Sequence, residues 1–156
     1  MIADLPANID NIKGFLADDE AEALYQHALA ESARGPVLEI GSYCGKSTIY
    51  LGLACRQHAS TVFALDHHRG SEEHQQGEYF HDPDLYDAGE GQVDTFKEFR
   101  RNIASAGLND TVVPVVAGSE AAARHWQTPL AMVFIDGGHS LEAVSYTHLT
   151  LPTTDV

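Results

Sequence analysis

The stretch Val37–Thr48, VLEIGSYCGKST, governs how the rest of the chain is read. VLEIG is a short apolar run closed by glycine, which fits a buried strand, and helical spacing returns after Gly45 through Ile49, Leu53 and Ala54. Gly41, Gly45, Lys46 and Ser47 look like the end of a phosphate-binding loop, G-x-x-x-x-G-K-S, but only Ser42, Tyr43 and Cys44 lie between the glycines. A loop one residue short should not wrap its N–H groups around phosphates in the same way. The dinucleotide fingerprint G-x-G-x-x-G also fails, because position 43 is Tyr. What remains is E-x-G-x-x-x-G after a strand, followed by an acid, Asp66, at the end of the next one. Gly41 lets the chain turn sharply, and Gly45 permits either close approach of a ligand or tight packing of helix on strand.

Working outward, four apolar runs alternate with segments of helical spacing. The runs are VLEIG (37–41), STVFALD (60–66), TVVPVVAG (111–118) and LAMVFIDGG (130–138). Pro114 weakens the third or marks a kink. Helices are expected over 18–33, capped by Asp18 or Asp19, after Gly45, over 93–106, from Ser119, and from HSLEAV (139–144). This alternation predicts an α/β fold with a parallel sheet and helices on both faces. In such sheets ligands bind at the carboxyl ends of the strands. The polar residues fall at those ends: Glu39 to Gly45, Asp66 to His68, Gly118 to Ser119, and Asp136 to His139.

Composition narrows the partners. The chain has 156 residues, enough for one domain with a real core, and 23 acidic against 9 basic residues give a formal charge of −14. A non-specific grip on nucleic acid or anionic membrane needs clustered Lys and Arg, so neither is expected. Two cysteines, Cys44 and Cys55, without a C-x-x-C pair suit a reducing cytoplasm. No apolar run approaches the about 18 residues of a membrane span. MIADLPANID at the start has neither the basic residues nor the apolar run of a signal peptide.

LEIGSYCGKST resembles the first motif of the class I S-adenosylmethionine-dependent methyltransferases, and VFALDHH resembles their ribose-binding strand end. VVAGSE sits where the adenine edge is contacted in that family, and MVFIDGGHS is similar to the fourth strand of the catechol-type, metal-assisted subgroup. The resemblance covers about residues 10–143 and implies a Rossmann-like fold, cut after the fourth strand of the family's seven. It implies S-adenosylmethionine as cofactor and a small-molecule acceptor methylated on oxygen or nitrogen. By position, the backbone of Gly41, Ser42, Tyr43 and Gly45 would pass the methionine part, and Glu39 would face its amino group directly or through water. Asp66 would hold the ribose and His67 would pack beside the adenine, bordered by Gly118 and Ser119. Asp136 would lie near the transferring methyl. There it is also the candidate ligand of a divalent metal such as Mg, and Asp136 and His139 are the candidate catalytic pair.

Each role has a bland rival. Glu39 could be a surface strand residue, Asp66 a helix cap and Ser119 an N-cap. A nucleophilic Cys44 would need a base that the sequence does not display, and His27 and His125 read as surface residues. Two other functions compete: a non-catalytic adenosylmethionine-binding regulatory module, and a nucleotide-phosphate enzyme using Lys46. Between His68 and Val93 lies a 24-residue acidic insert, RGSEEHQQGEYFHDPDLYDAGEGQ, read either as a solvated mobile loop or as a lid whose aromatics close over a substrate. A metal held by His67, His68 and insert acids has no fixed ligand spacing behind it. Finally, VSYTHLTLPT (144–153) resembles the translation of a transposon-type sequencing adapter, against the alternative of a natural polar strand. Residues 1–143 are therefore expected to form the cofactor-binding domain, and 144–156 a non-native tail.

Overall fold

The computed structural model describes residues 2–70, 76–77 and 82–136. A 3-10 turn at Ile9–Asn11 leads into α1 (Asp18–Glu31), β1 (Val37–Ile40), α2 (Lys46–Arg56) and β2 (Val62–Asp66). A second 3-10 turn, Pro83–Leu85, opens a hairpin of β3 (Tyr86–Asp87) and β4 (Gln92–Val93). Then come α3 (Phe96–Ser105), β5 (Val112–Val116), α4 (Ser119–Ala123) and β6 (Met132–Ile135).

The main sheet is parallel throughout, in the order β5-β2-β1-β6. The chain steps outward from β1 to β2 to β5, then crosses back to place β6 on the other side of β1. That reversal opens a crevice at the carboxyl ends of β1 and β6, where doubly wound sheets bind ligands. The two faces have separate cores, because successive strand residues point to opposite sides. Val37, Val62, Ala64 and Val112 pack with Ala21, Leu24 and Ala28 of α1, with α2, and with Phe99 and Ile103 of α3. On the other face Leu38, Ile40, Leu65 and Leu130 pack with Phe63, Ala122 and Trp126. Phe63 and Trp126 meet edge to face at 5.2 Å. Helices thus cover both faces, as the alternation predicts. The helix α2 is buried from Ser47 to Cys55, since it packs on β2 and is itself covered by α1.

Local details depart from the sequence reading. Ala17, not Asp18 or Asp19, is the N-cap of α1, and those acids occupy the first turn, where negative charge favours the helix dipole. Gly118, not Ser119, is the N-cap of α4, and no side chain caps that helix. The third helix begins at Phe96 instead of 93, because Gln92 and Val93 belong to the hairpin. Pro114 does not break β5: it lies opposite Ala64 on the outermost described strand, where a missing N–H is tolerated.

The second half of the acidic insert is a built element. The Asp82 carboxylate accepts from the Asp84 N–H and starts the Pro83–Leu85 turn. Leu85 and Val93 are buried, and the Asp94 N–H donates to the Leu85 carbonyl at 2.7 Å. Lys13, from the amino-terminal segment, forms ion pairs with Asp82 and, at 3.2 Å, with Asp84. Glu72, Glu73, His74, Glu78, Tyr79, Phe80 and His81, the expected helix from His139, and the tail 144–156 lie outside the described residues.

Candidate functional site

The site is built around one carboxylate. Asp66 ends β2, and its two oxygens each accept a backbone N–H: Oδ2 from Tyr43 at 2.8 Å and Oδ1 from His68 at 2.9 Å. Both donors have left-handed backbones, with φ of 50° at Tyr43 and 62° at His68. Such conformations are costly away from glycine and persist where the surroundings enforce them. The glycine loop is enforced by its own bonds: Gly41 N–H to the Leu65 carbonyl at 2.8 Å, Gly45 N–H to the Ser42 carbonyl at 2.9 Å, and the Asn102 amide to the Cys44 carbonyl at 2.8 Å. The end of β1 is thereby fastened to the end of β2 and to α3.

Of the two uses open to Gly45, the structure favours packing. A Cβ there would meet Phe99 at 3.2 Å and Ile103 at 3.4 Å, and φ is +94°. Gly118 is the opposite case, with open space where its Cβ would stand.

Glu39 is fully buried, which removes the surface-residue reading. Ser47 donates to its Oε2 and Thr48 to its Oε1, so the first turn of α2 is bonded to the middle of β1. Burial raises the carboxyl to about 7; the two hydroxyls oppose the rise, while the charges of Asp136 and Asp66 add to it. Cys44 is buried, and burial pushes its thiol to about 12, so it is no nucleophile at neutral pH. Burial likewise pushes the Tyr43 phenol to about 12.

The remaining expected residues are distributed as follows. His67 is exposed, with Nδ1 accepting from the Arg69 N–H at 2.9 Å. Lys46 is half-buried and packs beside Gly14. Gly118 and Ser119 follow β5, and the Ala117 N–H reaches the Asp66 carbonyl at 3.2 Å. Asp136 is exposed at the end of β6, with its N–H on the Ile40 carbonyl at 2.7 Å. The structure therefore gathers Glu39, the loop Gly41–Gly45, Asp66, Gly118 and Asp136 along one edge of the sheet. His139 lies outside the described residues, and His27 and His125 are exposed. Sequence reasoning missed Ser47, Thr48, Thr95 and Lys13. Ser47 and Thr48 could have been found from the need of an acid within VLEIG for donors on the facing helix.

A hydroxyl-rich ligand fits here. Asp66 is held on each oxygen by one N–H yet keeps further acceptor capacity for two vicinal hydroxyls. Apart from its chain neighbours, no atom of the described residues lies within 4 Å of where a Gly118 Cβ would stand. A metal finds less support: among the described residues no group of three or more His, Cys, Asp or Glu is placed to hold one.

A doubly wound parallel sheet, with a glycine loop after its first strand and an acid ending its second, defines a Rossmann-like α/β protein of the class I methyltransferase type. The model of a family described as a methyltransferase domain matches residues 38–154, and the chain belongs to that family. Solved structures share the fold. Cofactor-bound Rv0187 from MTB is 23% identical with a TM-score of 0.59, over 90% of this chain and 55% of that one. The O-methyltransferase from Bacillus cereus in complex with SAH is 22% identical with a TM-score of 0.53, over 82% and 49%. TomG from Streptomyces achromogenes, an O-methyltransferase of tomaymycin synthesis in complex with SAM, is 18% identical with a TM-score of 0.58, over 88% and 53%. The chain thus spans about half the length of these structures.

Proposed function

We propose that this chain binds S-adenosylmethionine and serves methyl transfer to an oxygen atom of a small-molecule acceptor. The observation that carries the reading is the Asp66 carboxylate, pinned by Tyr43 and His68 at the end of β2 with acceptor capacity left for two ribose hydroxyls. Family membership supports the reaction class, and the O-methyltransferases among the structural relatives favour oxygen over nitrogen.

In this reading the backbone from Gly41 through Ser42 and Tyr43 to Gly45 passes the methionine part. Glu39, bonded beneath the loop, faces its amino group directly or through water. Asp66 holds the ribose, His67 covers the adenine from the solvent side, and Gly118 and Ser119 border the ring. Asp136 faces the transferring methyl at the mouth of the crevice. S-adenosylmethionine, when bound, supplies a methyl group already electrophilic on its sulfonium. The protein's share is orientation, exclusion of water and removal of the acceptor's proton. Asp136 and His139 are the candidates for taking that proton. A divalent metal such as Mg would be held by Asp136, where it would lower the pKa of the acceptor hydroxyl. Two free, buried cysteines fit a cytoplasmic setting, and the net acidity fits a small acceptor instead of nucleic acid. Among the described residues no helix is long and apolar enough to cross a membrane.

The test is calorimetric titration with adenosylmethionine and adenosylhomocysteine. Asp66→Ala should weaken binding by about tenfold or more, since hydrogen bonds to a charged acceptor are each worth about 1.5–3 kcal/mol. Lys46→Ala should change it little. A larger loss at Lys46, with ATP bound by the wild type, would replace this reading with a nucleotide-phosphate enzyme.

A further inference from the structure

His68 is a side chain that neither the fold nor the reaction explains. It is 2% exposed, in a chain whose other described histidines named above are exposed. Its ring packs against Phe96 and Phe99, each at 5.1 Å between centroids, and those two rings are 6.3 Å from each other. Nδ1 is 2.7 Å from the Thr95 Oγ1, while Nε2 is buried without a hydrogen-bond partner among the described residues. The backbone repeats the link, because the Thr95 N–H donates to the His68 carbonyl at 3.0 Å. Thr95 is itself buried and is the N-cap of α3. Phe99, which packs on the His68 ring, is also the residue that a Cβ on Gly45 would strike.

A filler of that niche would be apolar. A polar ring there leaves one nitrogen unsatisfied, which costs stability, and it sits on a left-handed backbone that disfavours bulky residues. Both costs are accepted at the position whose N–H holds Oδ1 of Asp66. The other oxygen is held from the glycine loop, which rests on the same Phe99. The aromatic niche on α3 thus fixes both hands that grip the carboxylate.

We propose that His68 is a positioning residue for the ribose-binding carboxylate: seated on Thr95, Phe96 and Phe99, it sets the left-handed turn that aims Asp66 at the ribose hydroxyls. The inference rests on the reading of Asp66 given above. His68 acts through Asp66 and does not touch the cofactor.

Two substitutions separate positioning from space-filling. His68→Phe keeps the volume and the ring contacts but loses the bond to Thr95 and suits φ > 0 poorly. His68→Asn leaves a gap but tolerates the left-handed backbone and offers an amide near the position of Nδ1. Binding of adenosylhomocysteine and of its 2′,3′-dideoxy analogue is measured for the wild type and both variants, with melting temperatures. His68→Phe should weaken adenosylhomocysteine about tenfold and the dideoxy analogue less than about twofold, as for a lost hydrogen bond to a charged group. His68→Asn should restore adenosylhomocysteine to within about threefold of wild type, although its cavity lowers the melting temperature. Losses that are equal for the two ligands, or that follow the melting temperature, would overturn the proposal. Amide exchange without ligand gives a second readout: the Tyr43 and His68 amides should exchange faster in His68→Phe and near the wild-type rate in His68→Asn. Unchanged exchange in His68→Phe would sink the positioning role by itself. A wild-type chain that binds no adenosylhomocysteine would sink the ribose reading, and exchange at Tyr43 and His68 would then report on the turn alone.

Discussion

Glu39 shows how one residue can set a pH dependence opposite to that of most carboxylates. Its carboxyl is raised by burial from an ordinary 4.5 to about 7. Between these values the folded chain binds more protons at this site than the unfolded chain does. Its contribution to stability therefore falls as pH rises through that window, by at most about 1.4 kcal/mol per unit. A salt-bridged acid, with a lowered value, would have the reverse sign. Glu39→Gln should remove this slope: the difference in unfolding free energy between variant and wild type should change steadily from pH 4.5 to 7 and level off above. A difference independent of pH, measured by urea unfolding, would show that burial leaves the titration of Glu39 unshifted. The need of this acid for partners was legible in VLEIG. Their identity was not, because Ser47 and Thr48 face β1 only once α2 has docked.

The elements show where pattern reading works. The four long apolar runs became the four strands of the main sheet, and three helices fell within a few residues of their periodic segments, because burial on one or two faces dictates those patterns. The hairpin Tyr86–Asp87/Gln92–Val93 was not read, since two-residue strands carry no periodicity. Its turn chemistry was nonetheless present: the Asp87 Oδ1 accepts from Gly89 and Glu90, and Asp82 caps Pro83–Leu85. Hydrogen exchange of the free protein should therefore find the amides of Leu85 and Asp94 protected, as both are bonded across the turn and hairpin. Rates like those of an unstructured peptide would restore the expectation of a mobile segment. Lys13→Met should accelerate exchange over 82–94 by less than about fivefold, because partly exposed ion pairs are worth only about 0–1 kcal/mol.

At the scale of the molecule, the order β5-β2-β1-β6 explains why polar residues at successive strand ends fall along one edge of the sheet. Among the described residues, Glu39, Gly41–Gly45, Asp66, Gly118, Ser119 and Asp136 follow, or lie within, strands that point toward the same edge. The outer face of β6 was less legible. Val133 and Ile135 are 36% and 49% exposed on the face that Trp126 and α4 cover elsewhere. The division at residue 143 is a proposal carried by the character of 144–153. Removing residues 144–156 tests the point. A foreign tail should come away with the melting temperature unchanged to within about 1 °C, whereas a loss of 1 kcal/mol of native packing would lower it by about 2–8 °C.

The double grip on Asp66 also bears on how the protein can change over generations. A residue that merely touched a ligand could be exchanged whenever the ligand changed. Asp66 cannot, because its replacement strands the N–H groups of Tyr43 and His68 and loosens the turns on either side. Gly118 carries no such debt: its backbone is ordinary, at φ −72°, and open space stands beside it. Lineages, or laboratory selections, that seek a different base or a modified cofactor should therefore accumulate their substitutions around Gly118 while leaving Asp66 in place.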